Sequence, residues 1–196
     1  LHETWAARLL EETGIDVGFR RCGALELVSP ARATPAGLEN LERLLEGCHA
    51  RGVRAIRISP QEALALEPNV DVRPFAAVLH LPDDAQVRNP RLLKALAFSC
   101  RQQGVKLSEG VDVADVWIEN GKACGVLTRD GMRLKSAQVV LCAGAWTSRL
   151  ETLTRQAPRT AKIEPVRGQI LCYQATPGLC TRLLTTEHHY LVPRPD

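Results

Sequence analysis

The sequence predicts a mixed α/β (α+β) fold with two layers of different character, one α/β and one more antiparallel. Three observations predict it. Helix-patterned and strand-patterned segments are interleaved over residues 1–104, with proline or glycine at most of their junctions. From residue 105 the pattern changes to short strands separated by Asn-Gly and Asp-Gly turns. A run of apolar residues, Val139 to Ala143, then stops abruptly at Gly144, as a buried strand would. At 196 residues the chain is one large domain or two small ones, long enough for a real core.

Each element has its own signal. Trp5, Leu9 and Leu10 repeat at helical spacing over 3–13, and Gly14 stops them. "CGALELV", 22–28, alternates as a strand does. Thr34 is a candidate N-cap, with Pro35 at the first helical position and Gly52 beyond the end. "SPQEALALEP", 59–68, repeats that opening in a shorter helix, and "AAVLHLP", 76–82, is a strand. "NPRLLKALAFSCRQQG", 89–104, predicts a helix capped by Asn89 and closed by Gly104. After a short strand beginning at Val105, a meander at 111–134, with turns at Asn120-Gly121 and Asp130-Gly131, should pair antiparallel and lead into a strand at 137–143. A helix at 146–154 and two alternating strands, 163–174 and 188–194, complete the expectation.

Composition excludes several function classes. A net charge of +3, with arginines scattered, gives no nucleic-acid surface. No apolar run approaches the roughly 18 residues of a membrane span. "LHETWAARLLEETG" has no signal-peptide core, and there is no starting Met, so the chain reads as a piece of a longer one. Seven cysteines are dispersed without a C-x-x-C pair, which reads as reduced thiols in a cytoplasmic protein and no metal site.

Motif chemistry is sparse. No G-x-G-x-x-G, phosphate loop, H-E-x-x-H or G-x-S-x-G occurs. His188 and His189 are neighbours on a strand pattern and point to opposite faces. Asp83-Asp84 reads as turn and capping residues rather than an acid–base pair. Taken from the residues alone, the Ala143-Gly144 end of the apolar run is either a plain turn or a place where backbone passes close to a bound group.

Six stretches in order carry a resemblance: "EETGIDVGFRRCGALELV", "ISPQEALALEP", "PDDAQVRNPRLLKAL", "VVLCAGAWTSRL", "PVRGQILCY" and "HHYLVPRPD". Together they resemble the middle portion of the FAD-dependent amine oxidases of the D-amino-acid oxidase superfamily, most of all the bacterial glycine oxidases of thiamine synthesis. The resemblance implies a partial FAD-binding, Rossmann-like domain (1–18 and 86–160) interleaved with part of an antiparallel-sheet substrate domain (19–85 and 161–196). It also implies that the family's N-terminal G-x-G-x-x-G unit and C-terminal part lie outside these residues. The chain alone is then expected to bind no FAD, and to associate with itself or with a partner chain.

Site residues follow from the same resemblance. Val113 falls where backbone meets the adenine ring of FAD, and Ala143, Gly144 and Trp146 where a late strand approaches the dinucleotide. Tyr190 matches a tyrosine lining the substrate pocket, whose hydroxyl can donate to an amino-acid carboxylate; the alternative is a tyrosine that only covers a sheet. Thr185 stands where glycine oxidases carry another pocket tyrosine. The implied reaction oxidises a small amine or amino acid (glycine, sarcosine or a D-amino acid) to a 2-oxo acid and ammonia or an amine. O₂ accepts the electrons and gives H₂O₂. No acid or base is assigned, since the flavin supplies the chemistry. A flavin dehydrogenase of the same fold and a non-catalytic scaffold remain the alternatives.

Overall fold

Backbone geometry follows the caps and turns written into the sequence. The computed structural model describes residues 2–150 and 163–194. The chain forms two compact units, residues 1–106 with 174–196, and residues 107–173.

In the first unit, α1 (His2–Thr13) packs on α4 (Asn89–Gln102). Leu9, Val17 and Ala95 are buried between them. The Ser99 hydroxyl donates to Glu12 at 2.8 Å across the same seam. Between these helices come β1 (Arg20–Arg21), β2 (Ala24–Val28), α2 (Pro35–Ala50), β3 (Ile56–Ile58), α3 (Pro60–Leu66), β4 (Ala77–Leu81) and β5 (Ala85–Gln86). A short 3₁₀ turn, Pro30–Arg32, joins β2 to α2.

Strands β2, β3 and β4 share a sheet with β9 (Leu183–Thr185) and β10 (Tyr190–Leu191), in the order β10-β9-β2-β4-β3. Only β2 and β9 run parallel. Val28, Ala77 and Leu79 bury one face against Leu41 and Leu45 of α2. Leu25, Leu27 and Val78 bury the other against Ala63 of α3 and Val72. Both faces of β2 are therefore covered, so its alternation does not mark a solvent side; the Glu26 carboxylate lies 3.6 Å from the Arg32 guanidinium. Truncating a residue such as Leu79 in this layer costs about 2–5 kcal/mol.

Helix caps behave as read. The Thr34 hydroxyl accepts from the Gly37 amide at 3.1 Å. Ser59 and Glu62 form a reciprocal capping box. Asn89 is a correction: Arg88 holds the N-cap position without a side-chain bond, and Asn89 lies in the first turn.

The second unit is a meander of β6 (Val113–Glu119), β7 (Lys122–Thr128) and β8 (Arg133–Lys135), all antiparallel. Asn120 and Gly121 both take positive φ, as a two-residue hairpin turn requires. The Arg133 guanidinium lies 5.0 Å over the Trp117 ring.

Four expectations fail here. Residues 137–143 form no strand: Val140 is 82% exposed and the ladder stops at β8. An apolar run makes a strand only where another strand supplies its hydrogen bonds, and among the described residues none does. Residues 163–174 likewise carry no strand, and Val166 is 92% exposed. Residues 105–110 are irregular rather than extended. The helix expected at 146–154 is a 3₁₀ turn, Gly144–Arg149, and its later part lies outside the described residues.

Candidate functional site

Val113, Ala143, Gly144 and Trp146 belong to the second unit, and Tyr190 to the first. Val113 opens β6 opposite Thr128, just before a register shift at Asp115, and its side chain is exposed. Ala143 caps the 3₁₀ turn, its carbonyl accepting from the Trp146 amide at 3.0 Å. The Thr147 hydroxyl donates to the Gly144 carbonyl at 2.8 Å. Gly144 has φ +55° and nothing within 4 Å of the place a Cβ would occupy. Trp146 is 55% exposed. This short stretch thus presents uncovered backbone beside an open indole face, though on a tight turn and not at a strand end.

Tyr190 sits on the edge strand β10, 68% exposed, and Thr185 is its register partner on β9. Its hydroxyl is free to meet a ligand. Of the strand expected at 188–194, only Tyr190–Leu191 is strand. His188 and His189 stack edge to face at 6.4 Å in the turn before Tyr190. Among the described residues no group of His, Cys, Asp and Glu could hold a metal ion.

Glu67, which the sequence reading passed over, is the most heavily bonded carboxylate of the first unit. It accepts from the Thr181 amide and hydroxyl and from the Arg182 amide and guanidinium. Burial pushes its carboxyl up, but those donors outweigh it and hold the carboxyl below the usual range. A glutamate set between an apolar helix end and Pro68 was the available signal. Cys180, alongside, is pushed up to about 11 by burial first and by the Glu67 charge second, so it is no nucleophile at neutral pH. Asp83 takes both Arg54 nitrogens at 2.6 Å and Arg21 at 3.4 Å, which holds its carboxyl below the usual range. Asp84 moves the other way, raised by burial and then by the Asp83 charge. The arginine clamp on Asp83 makes this an anchored turn.

The family model described as FAD dependent oxidoreductase matches residues 1–196, the whole chain. The chain belongs to that family. FAD is the family's cofactor. A glycine oxidase of Geobacillus kaustophilus (strain HTA426) is 29% identical over 190 residues, covering 96% of this chain and 48% of that protein. The mitochondrial pyruvate dehydrogenase phosphatase regulatory subunit of Mus musculus is also 29% identical, over 188 residues, 96% of this chain and 18% of that protein. The crystal structure of glycine oxidase from Geobacillus kaustophilus superposes with a TM-score of 0.75 at 26% identity, covering 99% of this chain and 50% of that one. The chain spans about half the length of the glycine oxidases it matches. Among the described residues no helix is long and apolar enough to cross a membrane.

An FAD dependent oxidoreductase must leave backbone and flat side chains open where a dinucleotide lies. The Gly144 turn, the Trp146 indole and the start of β6 each leave backbone or a flat face open. A pyrophosphate grip of the G-x-G-x-x-G type is not among these residues.

Proposed function

We propose that the chain is part of an FAD-dependent oxidase of small amines or amino acids, glycine, sarcosine or a D-amino acid being the substrates of choice. The observation that carries this reading is the match of all 196 residues to the family model. The glycine oxidase likenesses supply the substrate class.

When bound, FAD supplies the two-electron acceptor for the substrate's C–H bond. The chain's own residues bind and orient. Ala143 and Gly144 offer backbone, and Trp146 an apolar face, to one edge of the cofactor. Val113 meets the adenine through its backbone amide or carbonyl, so its side-chain polarity is immaterial. Tyr190 donates its hydroxyl proton in a hydrogen bond to the substrate carboxylate, fixing the α-carbon in place. Residues 1–18 and 86–160 serve the FAD side, and 19–85 and 161–196 the substrate side. Per turnover, amine, O₂ and water give a 2-oxo acid, ammonia or an amine, and H₂O₂.

A coupled peroxide assay on the FAD-loaded full-length protein with glycine, sarcosine and D-alanine tests the reading. Peroxide formation with at least one of them supports it. Flavin reduction that passes only to a quinone dye makes the enzyme a dehydrogenase. The mouse relative, a regulatory subunit by name, favours a second reading: a protein that keeps the fold and oxidises no amine. That reading requires a flavin that stays oxidised in the presence of every amine.

A further inference from the structure

Glu67 follows α3 and is 1% exposed, yet no step of the reaction uses it. Its carboxylate is spent on one neighbouring step of chain. The Thr181 amide reaches both oxygens at 3.1 Å, and the Arg182 amide one of them at 2.7 Å. The Thr181 hydroxyl donates at 2.5 Å and the Arg182 guanidinium at 3.3 Å. The same guanidinium donates to the Leu66 carbonyl at 2.7 Å, and the Asn69 amide group to the Leu179 carbonyl at 3.1 Å. Residues 66–69 therefore grip residues 179–182 across more than a hundred positions of sequence.

What leaves that grip is β9. The Leu183 amide donates to the Gly23 carbonyl at 3.0 Å, and Leu183 to Thr185 pair in parallel with Ala24 to Glu26. Thr185 then faces Tyr190. Only two residues, Leu183 and Leu184, separate Arg182 from Thr185, so a slip at the clamp passes directly into the strand that carries Tyr190's partner. A slip of one residue would turn every side chain of a strand to its other face. The far end of the hairpin has its own tie, the Ser29 hydroxyl donating to Glu187 at 2.6 Å. That bond is exposed, and water can replace it; nothing replaces the buried one.

We propose that Glu67 is a positioning residue for substrate binding: by holding the Thr181–Arg182 step it fixes the register of β9 and so the place where Tyr190 is presented. The inference rests on Tyr190 binding substrate. Glu67 touches neither substrate nor cofactor.

The test compares Glu67→Gln, Glu67→Ala and Thr181→Val in the FAD-loaded full-length protein. KM and kcat are measured with the active amine, and the Kd of glycolate, a carboxylate without an amine, from its effect on the flavin spectrum. Hydrogen exchange of residues 181–191 is followed in the same samples. Glu67→Gln keeps an acceptor oxygen for the two amides, so KM stays within about twofold. Glu67→Ala raises KM and the glycolate Kd by about tenfold, with kcat changed less than about twofold. Exchange at 183–185 and 190–191 quickens while the α1 and α4 amides do not change. Should Glu67→Ala fail to fold, Thr181→Val, which removes one donor, raises KM by about threefold. Unchanged KM and Kd in the folded variants, or kcat falling in step with KM, overturns the proposal. If the unmutated protein oxidises no amine, the oxidase reading fails by itself; unchanged exchange at 183–185 in Glu67→Ala is what sinks the positioning role.

Discussion

Tyr190 lies directly opposite Thr185 on the β9–β10 ladder. The Thr186 amide donates to the His189 carbonyl at 2.8 Å. The Thr185–Tyr190 pair is thus the neighbouring non-hydrogen-bonded one, the kind whose side chains lie closest on a shared face. A small hydroxyl residue opposite the phenol leaves space over it, on the outermost strand of the sheet.

Tyr190→Phe removes only the phenolic hydroxyl. A lost hydrogen bond to a charged carboxylate is worth roughly 1.5–3 kcal/mol, so KM for the active amine should rise about tenfold or more. The flavin spectrum should not change. Steady-state kinetics on the FAD-loaded variant check this, and an unchanged KM removes Tyr190 from the site.

Ser59→Ala removes the hydroxyl half of the capping box that opens α3, since the hydroxyl accepts from the Glu62 amide and donates to its carboxylate, while the backbone amide of residue 59 still donates to Glu62. A loss of about 1 kcal/mol is expected, read as a lower urea midpoint with an unchanged slope. A variant as stable as the parent would show that tertiary packing alone sets the start of α3.

Acid should weaken the protein in two stages. Burial first, then the charges of Arg182 and Arg54, hold the His80 imidazole below its usual value. Below about pH 6.5 the unfolded chain therefore binds the proton more readily, and stability falls as pH drops toward the folded value. Glu67 is depressed, so its contribution is present above the usual carboxylate range and is lost as pH falls through its folded value. Melting temperatures from pH 7.5 down to about 3 should show both stages, and His80→Gln should flatten the first. A variant with the parent's slope between pH 7 and 5.5 would assign that stage to another histidine.

Gly125→Ala should disrupt the meander. A Cβ there would stand 2.0 Å from the Leu134 carbonyl oxygen, at φ +149°, so β7 and β8 must part. A cost of roughly 2–3 kcal/mol is expected, against about 1 kcal/mol for Gly104→Ala, where φ is positive but space is open. Equal costs at the two positions would mean that the β7–β8 approach is looser than described.

Local chemistry was legible in the sequence and long-range chemistry was not. Thr34, Ser59 and the Asn120-Gly121 turn act within four residues of themselves, and each sits where its pattern placed it. The 137–143 run failed because a strand is a property of a pair, and apolar composition says nothing about which partner is at hand. Glu67 was missed for the same reason: its donors lie at Thr181 and Arg182, and nothing in "LALEP" announces them. Tyr190 was picked out by resemblance, while its pairing with Thr185 came only with the fold.

The most direct measurement is anaerobic titration of the FAD-loaded full-length protein with glycine, sarcosine and D-alanine, followed by admission of O₂. Bleaching of the oxidised-flavin absorption by at least one amine is expected, with colour and one H₂O₂ per flavin returning on aeration. A flavin that stays oxidised with every small amine would overturn amine oxidation as the function and leave the regulatory-subunit likeness as the better guide.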